Sequence, residues 1–154
     1  MSKNWVSLLF WIALCLLIGF AGSFFNPGEW YAEMEKPALT PPNIIFPIVW
    51  NVLFILMGFA AWRVWCKRNQ GVLLALGLFF IQLGLNILWS YLFFGIHRPE
   101  LALIEIIFLW FAILITSLVF YKIDHLAGFL LLPYLVWVSF ASYLNYAFVQ
   151  LNNF

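Results

Sequence analysis

Five apolar runs divide this chain, each about as long as a helix must be to cross the hydrocarbon core of a bilayer. About 20 residues, rising ~1.5 Å each, cover that thickness. The runs are Trp5 to Phe25, Ile44 to Trp65, Gly71 to Phe94, Leu101 to Tyr121 and Leu126 to Gln150. Short polar breaks carry the turn chemistry between them: "NPGEW", "CKRNQG", "GIHRPE" and "YKIDH". Hydrocarbon offers no hydrogen-bond partners, so each crossing segment must satisfy its own backbone, and a run of this length does so as a helix. The expected fold is an all-α membrane protein. It has one domain over residues 1–154, a bundle of five transmembrane helices with spans at about 5–25, 44–65, 71–94, 101–121 and 126–150, and a loop at 26–43.

The composition excludes the soluble alternatives. With 66% hydrophobic residues and 8% charged, a water-soluble domain of this size could not hide its apolar surface. A net charge of +1 supplies no basic patch for nucleic acid. Cys15 and Cys66 form no paired motif and imply neither a disulfide framework nor a zinc site. The first run is longer than the apolar core of a usual signal peptide and carries Trp5 and Trp11, so it is read as a retained span. With five spans, Lys3, Arg63, Lys67, Arg68 and Lys122 fall on one side, and only Lys36 and Arg98 on the other. The positive-inside rule then puts the N-terminus in the cytoplasm of a multi-pass protein of the cell membrane, with the first loop and the C-terminus outside.

That first loop is unusual. The stretch Gly28 to Trp50 holds three of the six acidic residues (Glu29, Glu33, Glu35) and four of the seven prolines (Pro37, Pro41, Pro42, Pro47). Proline restricts the chain where it enters the membrane and removes backbone donors that would otherwise be unsatisfied at a helix start. The loop is expected to act as a lid, with the glutamates on its wet face; a plain connecting loop is the alternative.

Beneath it, polar and aromatic residues recur at helical spacing. The third span carries Asn86, Trp89, Ser90 and Phe93 on one face. The fifth carries Pro133, Trp137, Ala141 and Asn145 at steps of four, and the second carries Pro47, Trp50, Asn51 and Phe54. Aromatic walls with a few polar groups suit a cavity for a flat, largely apolar ligand. The competing reading is that Asn51, Asn86 and Asn145 only hydrogen-bond helix to helix, contributing ~0.6 kcal/mol each. Trp5, Trp62 and Trp65 sit near span ends, as interfacial anchors do. Trp11 and Trp110 lie deeper, facing lipid or packing, and Trp50, Trp89 and Trp137 group with the amides and prolines.

At this point the chain resembles a known family. "W-Y-x-x-x-x-K-P-x-x-x-P-P-x-x-x-F-x-x-V-W", from Trp30 to Trp50, resembles the signature of the TspO/MBR family, the tryptophan-rich sensory proteins and translocator proteins (peripheral-type benzodiazepine receptors). "MGFAAWRVW", "LNILWSYLFFG" and "PYLVWVSFASYLNYAFVQLN" extend the likeness over nearly the whole chain, and the match is close to bacterial, bacillar-type members. The resemblance implies a homodimer that binds protoporphyrin IX and related tetrapyrroles, and benzodiazepine-type and isoquinoline drugs in the same pocket. It assigns Tyr31, Pro41, Phe46, Trp50 and Phe54 to the lid and second-helix wall. Asn86, Trp89 and Ser90 fall to the third helix, and Trp137, Ala141 and Asn145 to the fifth. One departure concerns sterols: Tyr143 and Tyr146 are followed by no basic residue, so the cholesterol-type motif is incomplete.

No hydrolytic or metal constellation is visible. His97 and His125 fall in loops on opposite sides. His97 with Arg98 could meet a porphyrin propionate. Glu105 sits about one turn inside the fourth span, where a charge at mid-membrane would cost ~2.5–3.5 kcal/mol; it is expected to reach headgroups or take a proton. The resemblance favours light- and oxygen-dependent degradation of bound porphyrin, with Trp50 and Trp137 as the reacting indoles and no organic cofactor. A porphyrin carrier and a sensor acting through a partner are the alternatives. Gly77 and Gly84, seven apart on the third span, are the expected dimer contact, with Gly71 and Ala75 a further small pair.

Overall fold

The structure, a computed structural model, describes residues 2–68 and 70–154, the side chains of Ser2 and Lys3 excepted. Asn69, in the second polar break, and the Lys3 side chain counted in the charge asymmetry therefore lie outside the described residues. Helix α1 is Ser2–Gly22, α2 Gly28–Glu33, α3 Ile45–Lys67, α4 Val72–Ser90, α5 Pro99–Ile123, α6 His125–Leu130 and α7 Leu132–Leu151. Five segments are long and apolar enough to cross a membrane: Asn4–Gly22, Ile45–Lys67, Val72–Gly95, Pro99–Ile123 and His125–Leu151. The expected five-helix bundle is present, and no strand occurs among the described residues.

The helices differ from the expected spans in informative ways. α1 stops at Gly22 rather than Phe25, where a turn closes on the Phe20 and Ala21 carbonyls. α4 passes into a π-helical turn at Tyr91–Gly95, closed by the Ile96 N–H on the Tyr91 carbonyl at 2.9 Å. The extra residue in that turn re-aims Phe93 and Phe94; such turns concentrate at functional sites. The fifth crossing is broken at Leu131 into α6 and α7, with Pro133 in the first turn of α7, where a missing N–H is tolerated.

α1 packs on α3, α4 on α5, and α5 on both α6 and α7. At Gly58 of α3 an added Cβ would lie 2.6 Å from the Ile12 Cα, so only glycine permits this α1–α3 crossing. Gly128 does the same for α6, where a Cβ would lie 2.7 Å from the Tyr121 Cα of α5. Cys15, Met57, Phe79, Leu83, Ile113, Phe120 and Tyr134 are buried where the helices meet. Large apolar residues such as Val6, Leu73 and Val136 point outward at 69–79% exposure, as a lipid-facing surface requires.

On the side away from the lid, Asp124 ties three helices together. Its carboxylate accepts from Arg63 Nε at 2.9 Å and Arg63 Nη2 at 2.8 Å, and pairs with Lys67 Nζ at 3.0 Å. It also caps α6 by accepting from the Ala127 N–H at 3.0 Å.

Candidate functional site

The predicted site residues separate into two neighbouring aromatic groups. The first lies between α3 and α7. Trp50 stacks on Phe54 one turn below, ring centroids 5.7 Å apart, and meets Tyr134 edge-on at 6.0 Å. Phe46 meets Trp137 edge-on at 5.9 Å. Trp50, Trp137 and Ala141 are half-buried against the core. The Trp137 indole N–H is buried and has no hydrogen-bond partner.

The second group lies under α2. Tyr31 stacks on Phe148 at 5.7 Å and meets Phe93 and Phe94 edge-on. Trp30 stacks on His97 at 4.4 Å and packs beside Phe93 and Phe148. Tyr31 therefore caps Phe148 and Phe93 rather than Trp50. Burial pushes the Tyr31 phenol above its ordinary value, so it is a hydroxyl at neutral pH. Beyond α2, Pro37 is buried, Pro41 is half-buried, and the Ile45 N–H donates to the Pro42 carbonyl at 2.9 Å to start α3. Arg98, beside His97, is ion-paired with Glu100.

The amides join these groups. Asn86 Nδ2 donates to the Tyr134 hydroxyl at 2.9 Å, binding α4 to α7. Trp89 Nε1 donates to Asn145 Oδ1 at 3.0 Å, and Asn145 Nδ2 to the Pro99 carbonyl at 2.9 Å, which binds α4, α5 and α7 at one point. Both amides thus serve as links between helices. Asn51 does not: it is exposed on the outer face of α3. Ser90 is half-buried and lies beside Gly22, facing the end of α1. Glu105 turns into the bundle at 6% exposure, and neither carboxyl oxygen has a partner.

α3 and α7 diverge, leaving a groove of about 510 Å³ that opens to the side of the bundle. Val52, Leu56, Pro133, Val136, Trp137 and Phe140 are among its apolar lining residues. Of the predicted site residues only Trp137 lines it, so this indole stands between the groove and Phe46. Among the described residues no group of His, Cys, Asp or Glu could hold a metal ion.

Three partners in the site were not singled out from the sequence. Tyr134 accepts from Asn86 and touches Trp50; its place three residues before Trp137 put it on a shared face. Phe148 receives both lid aromatics. Asn152, just past α7, accepts from the Glu35 N–H at 3.0 Å and donates to the Glu35 carbonyl at 2.9 Å, latching the lid backbone. Nothing local signals a bond across 117 residues of chain.

Comparison with known proteins gives a consistent answer. A family model described as the TspO/MBR family matches residues 11–151. The chain is 47% identical over 161 residues to "Tryptophan-rich protein TspO" of Chlorobaculum tepidum, covering 99% of each. It is 36% identical to "Tryptophan-rich sensory protein" of Cereibacter sphaeroides over 152 residues, 99% of this chain and 95% of that one. It is 34% identical to "Translocator protein" of Homo sapiens over 152 residues, 95% and 90% of the two chains.

Proposed function

The chain belongs to the TspO/MBR family, and from that premise we propose that it binds protoporphyrin IX between its tryptophans and promotes the light- and oxygen-dependent breakdown of that pigment. The observation that carries this reading is that Trp50 of α3 and Trp137 of α7 are each set against a ring of the other helix, Trp50 against Tyr134 and Trp137 against Phe46. Both are half-buried, both are set against other rings, and the Trp137 N–H is free for an acceptor. A flat macrocycle gains most from such walls through apolar burial and ring stacking. Phe46, Phe54 and Ala141 shape the same side; Tyr31 and Pro41 belong to the lid; Asn86, Trp89 and Asn145 hold the third and fifth spans in register around it, and Ser90 faces the end of α1. Bound porphyrin absorbs the light, and electron-rich indoles at its face quench it or take part in ring opening. Oxygen is the co-reactant and no organic cofactor is required. Benzodiazepine-type ligands use the same walls. The lid side faces out of the cell and the N-terminus faces the cytoplasm, following the lysine and arginine distribution.

The test is a protoporphyrin IX titration of purified protein, followed by absorbance in the dark and under illumination. Wild type is expected to convert the pigment to a new product faster than empty micelles do. Trp50→Phe and Trp137→Phe are expected to keep binding and lose most of the conversion. Saturable binding with bleaching no faster than in empty micelles would overturn the photochemical reading. It would favour a carrier or a sensor, the roles that two of the relatives' names describe for those proteins.

A further inference from the structure

Glu105 presents the least satisfied chemistry in the bundle. It lies six residues into α5, is 6% exposed, and neither carboxyl oxygen has a hydrogen-bond partner. No lysine, arginine or histidine pairs with it among the described residues. The Tyr134 phenol of α7 lies within electrostatic reach of both Glu105 and Cys15 of α1. The polar side chains that α4 buries are neutral amides: Asn86, which already donates to Tyr134, and Gln82, whose own carbonyl oxygen is buried without a donor. A bare carboxylate buried without a donor or a cation has nothing to balance its charge.

We propose that Glu105 carries a proton inside the membrane, and that this neutral carboxyl is an additional binding determinant of the tryptophan site. Its O–H is a hydrogen-bond donor for an uncharged acceptor, a carbonyl oxygen or imine nitrogen, on an otherwise apolar ligand. Tyr134 connects the two places: its ring edge meets Trp50, its hydroxyl accepts from Asn86, and it lies within electrostatic reach of Glu105. Buried polar groups are normally paired, and an unpaired set at a site lined by rings is what a missing polar partner leaves behind. The proton itself is independent of ligand identity; the donor role rests on the tetrapyrrole reading above.

Infrared difference spectroscopy on the whole protein in lipid separates these two parts. Wild type minus Glu105→Gln is expected to show the C=O band of a protonated carboxyl, shifted in D₂O, at neutral and mildly alkaline pH. A spectrum with no such band, or a carboxylate band in its place, overturns the proposal. Adding protoporphyrin IX is expected to move the wild-type band to lower frequency, as a new hydrogen bond does; an unmoved band under saturating ligand overturns the donor role. In titrations, Glu105→Gln, which keeps a donor, is expected to bind as wild type does. Glu105→Leu is expected to lose about fivefold, the worth of one hydrogen bond. Equal affinity in a folded Glu105→Leu variant also overturns the donor role. If wild type does not bind protoporphyrin at all, the tetrapyrrole reading falls, and the carboxyl band still decides the protonation of Glu105.

Discussion

Asp124 and Glu105 are two acids with opposite surroundings, and the contrast is instructive. Asp124 lies between two crossing segments with its side chain 3% exposed, but Arg63, Lys67 and the Ala127 N–H surround it. The hydrogen bonds from Arg63 hold its carboxyl well below the usual carboxylate range, against the effect of burial, with Ala127 and Lys67 adding to Arg63. A depressed folded-state value means the stabilisation is complete above the unfolded value of about 4 and is lost as pH falls through the lower folded one. Asp124→Asn is therefore expected to cost roughly 2 kcal/mol near neutral pH. The cost should shrink on acidification below pH ~4, as the unfolded carboxyl takes up its proton, and vanish as pH falls through the lower folded value. Thermal unfolding in detergent across that range checks it; a deficit independent of pH would mean the carboxylate is not what Arg63 and Lys67 stabilise.

Among the elements, α2 is too short, at six residues, for a stable isolated helix, and unlike α6 it has no side-chain N-cap. It is held from outside. Trp30 and Tyr31 anchor it on Phe93 and Phe148, Lys36 Nζ closes its end on the Ala32 and Met34 carbonyls, and Asn152 latches Glu35. Asn152→Ala is expected to speed hydrogen exchange at the Glu35 amide by about fivefold or more, the loss of one hydrogen bond or so. The unfolding temperature should hardly change, because the spans do not depend on that bond. Unchanged exchange at Glu35 would show that the rings alone hold the lid. The five crossing helices were legible in the sequence because hydrocarbon demands length and apolarity, and both are written residue by residue. Their inward faces were not. A helix that is apolar all round carries little periodic contrast, so Asn51, exposed on the outer face, and Glu105, turned inward, could not be told apart by spacing. α2 was hidden in a segment whose prolines read as loop, and the π-helical turn at Tyr91 had no marker at all. Of the candidate site, the Asn86, Trp89 and Asn145 contacts followed from shared helical faces; the Asn152 latch, made between distant parts of the chain, did not.

For the whole molecule, the outward faces matter as much as the core. Gly77 and Gly84 both lie on the exposed side of α4, where an added Cβ would meet nothing within 4 Å, and Leu73 and Ile81 flank them. A second copy of α4 can approach closely there, since small residues admit close backbone contact in lipid. The protein is expected to be a dimer through this face, and replacing both glycines with leucine should yield monomer in detergent by light scattering on a sizing column. A dimer that survives the double replacement would move the interface elsewhere. The groove between α3 and α7 is a second outward feature, and it opens sideways. A solute approaching Trp137 along it is already dissolved in hydrocarbon. Its availability is then a mole fraction in lipid, fixed by its partition coefficient and the amount of membrane, and not a molarity in buffer. Empty vesicles would dilute such a ligand as added water dilutes an ordinary one, and two preparations matched in every aqueous concentration would differ in occupancy if they differed in lipid.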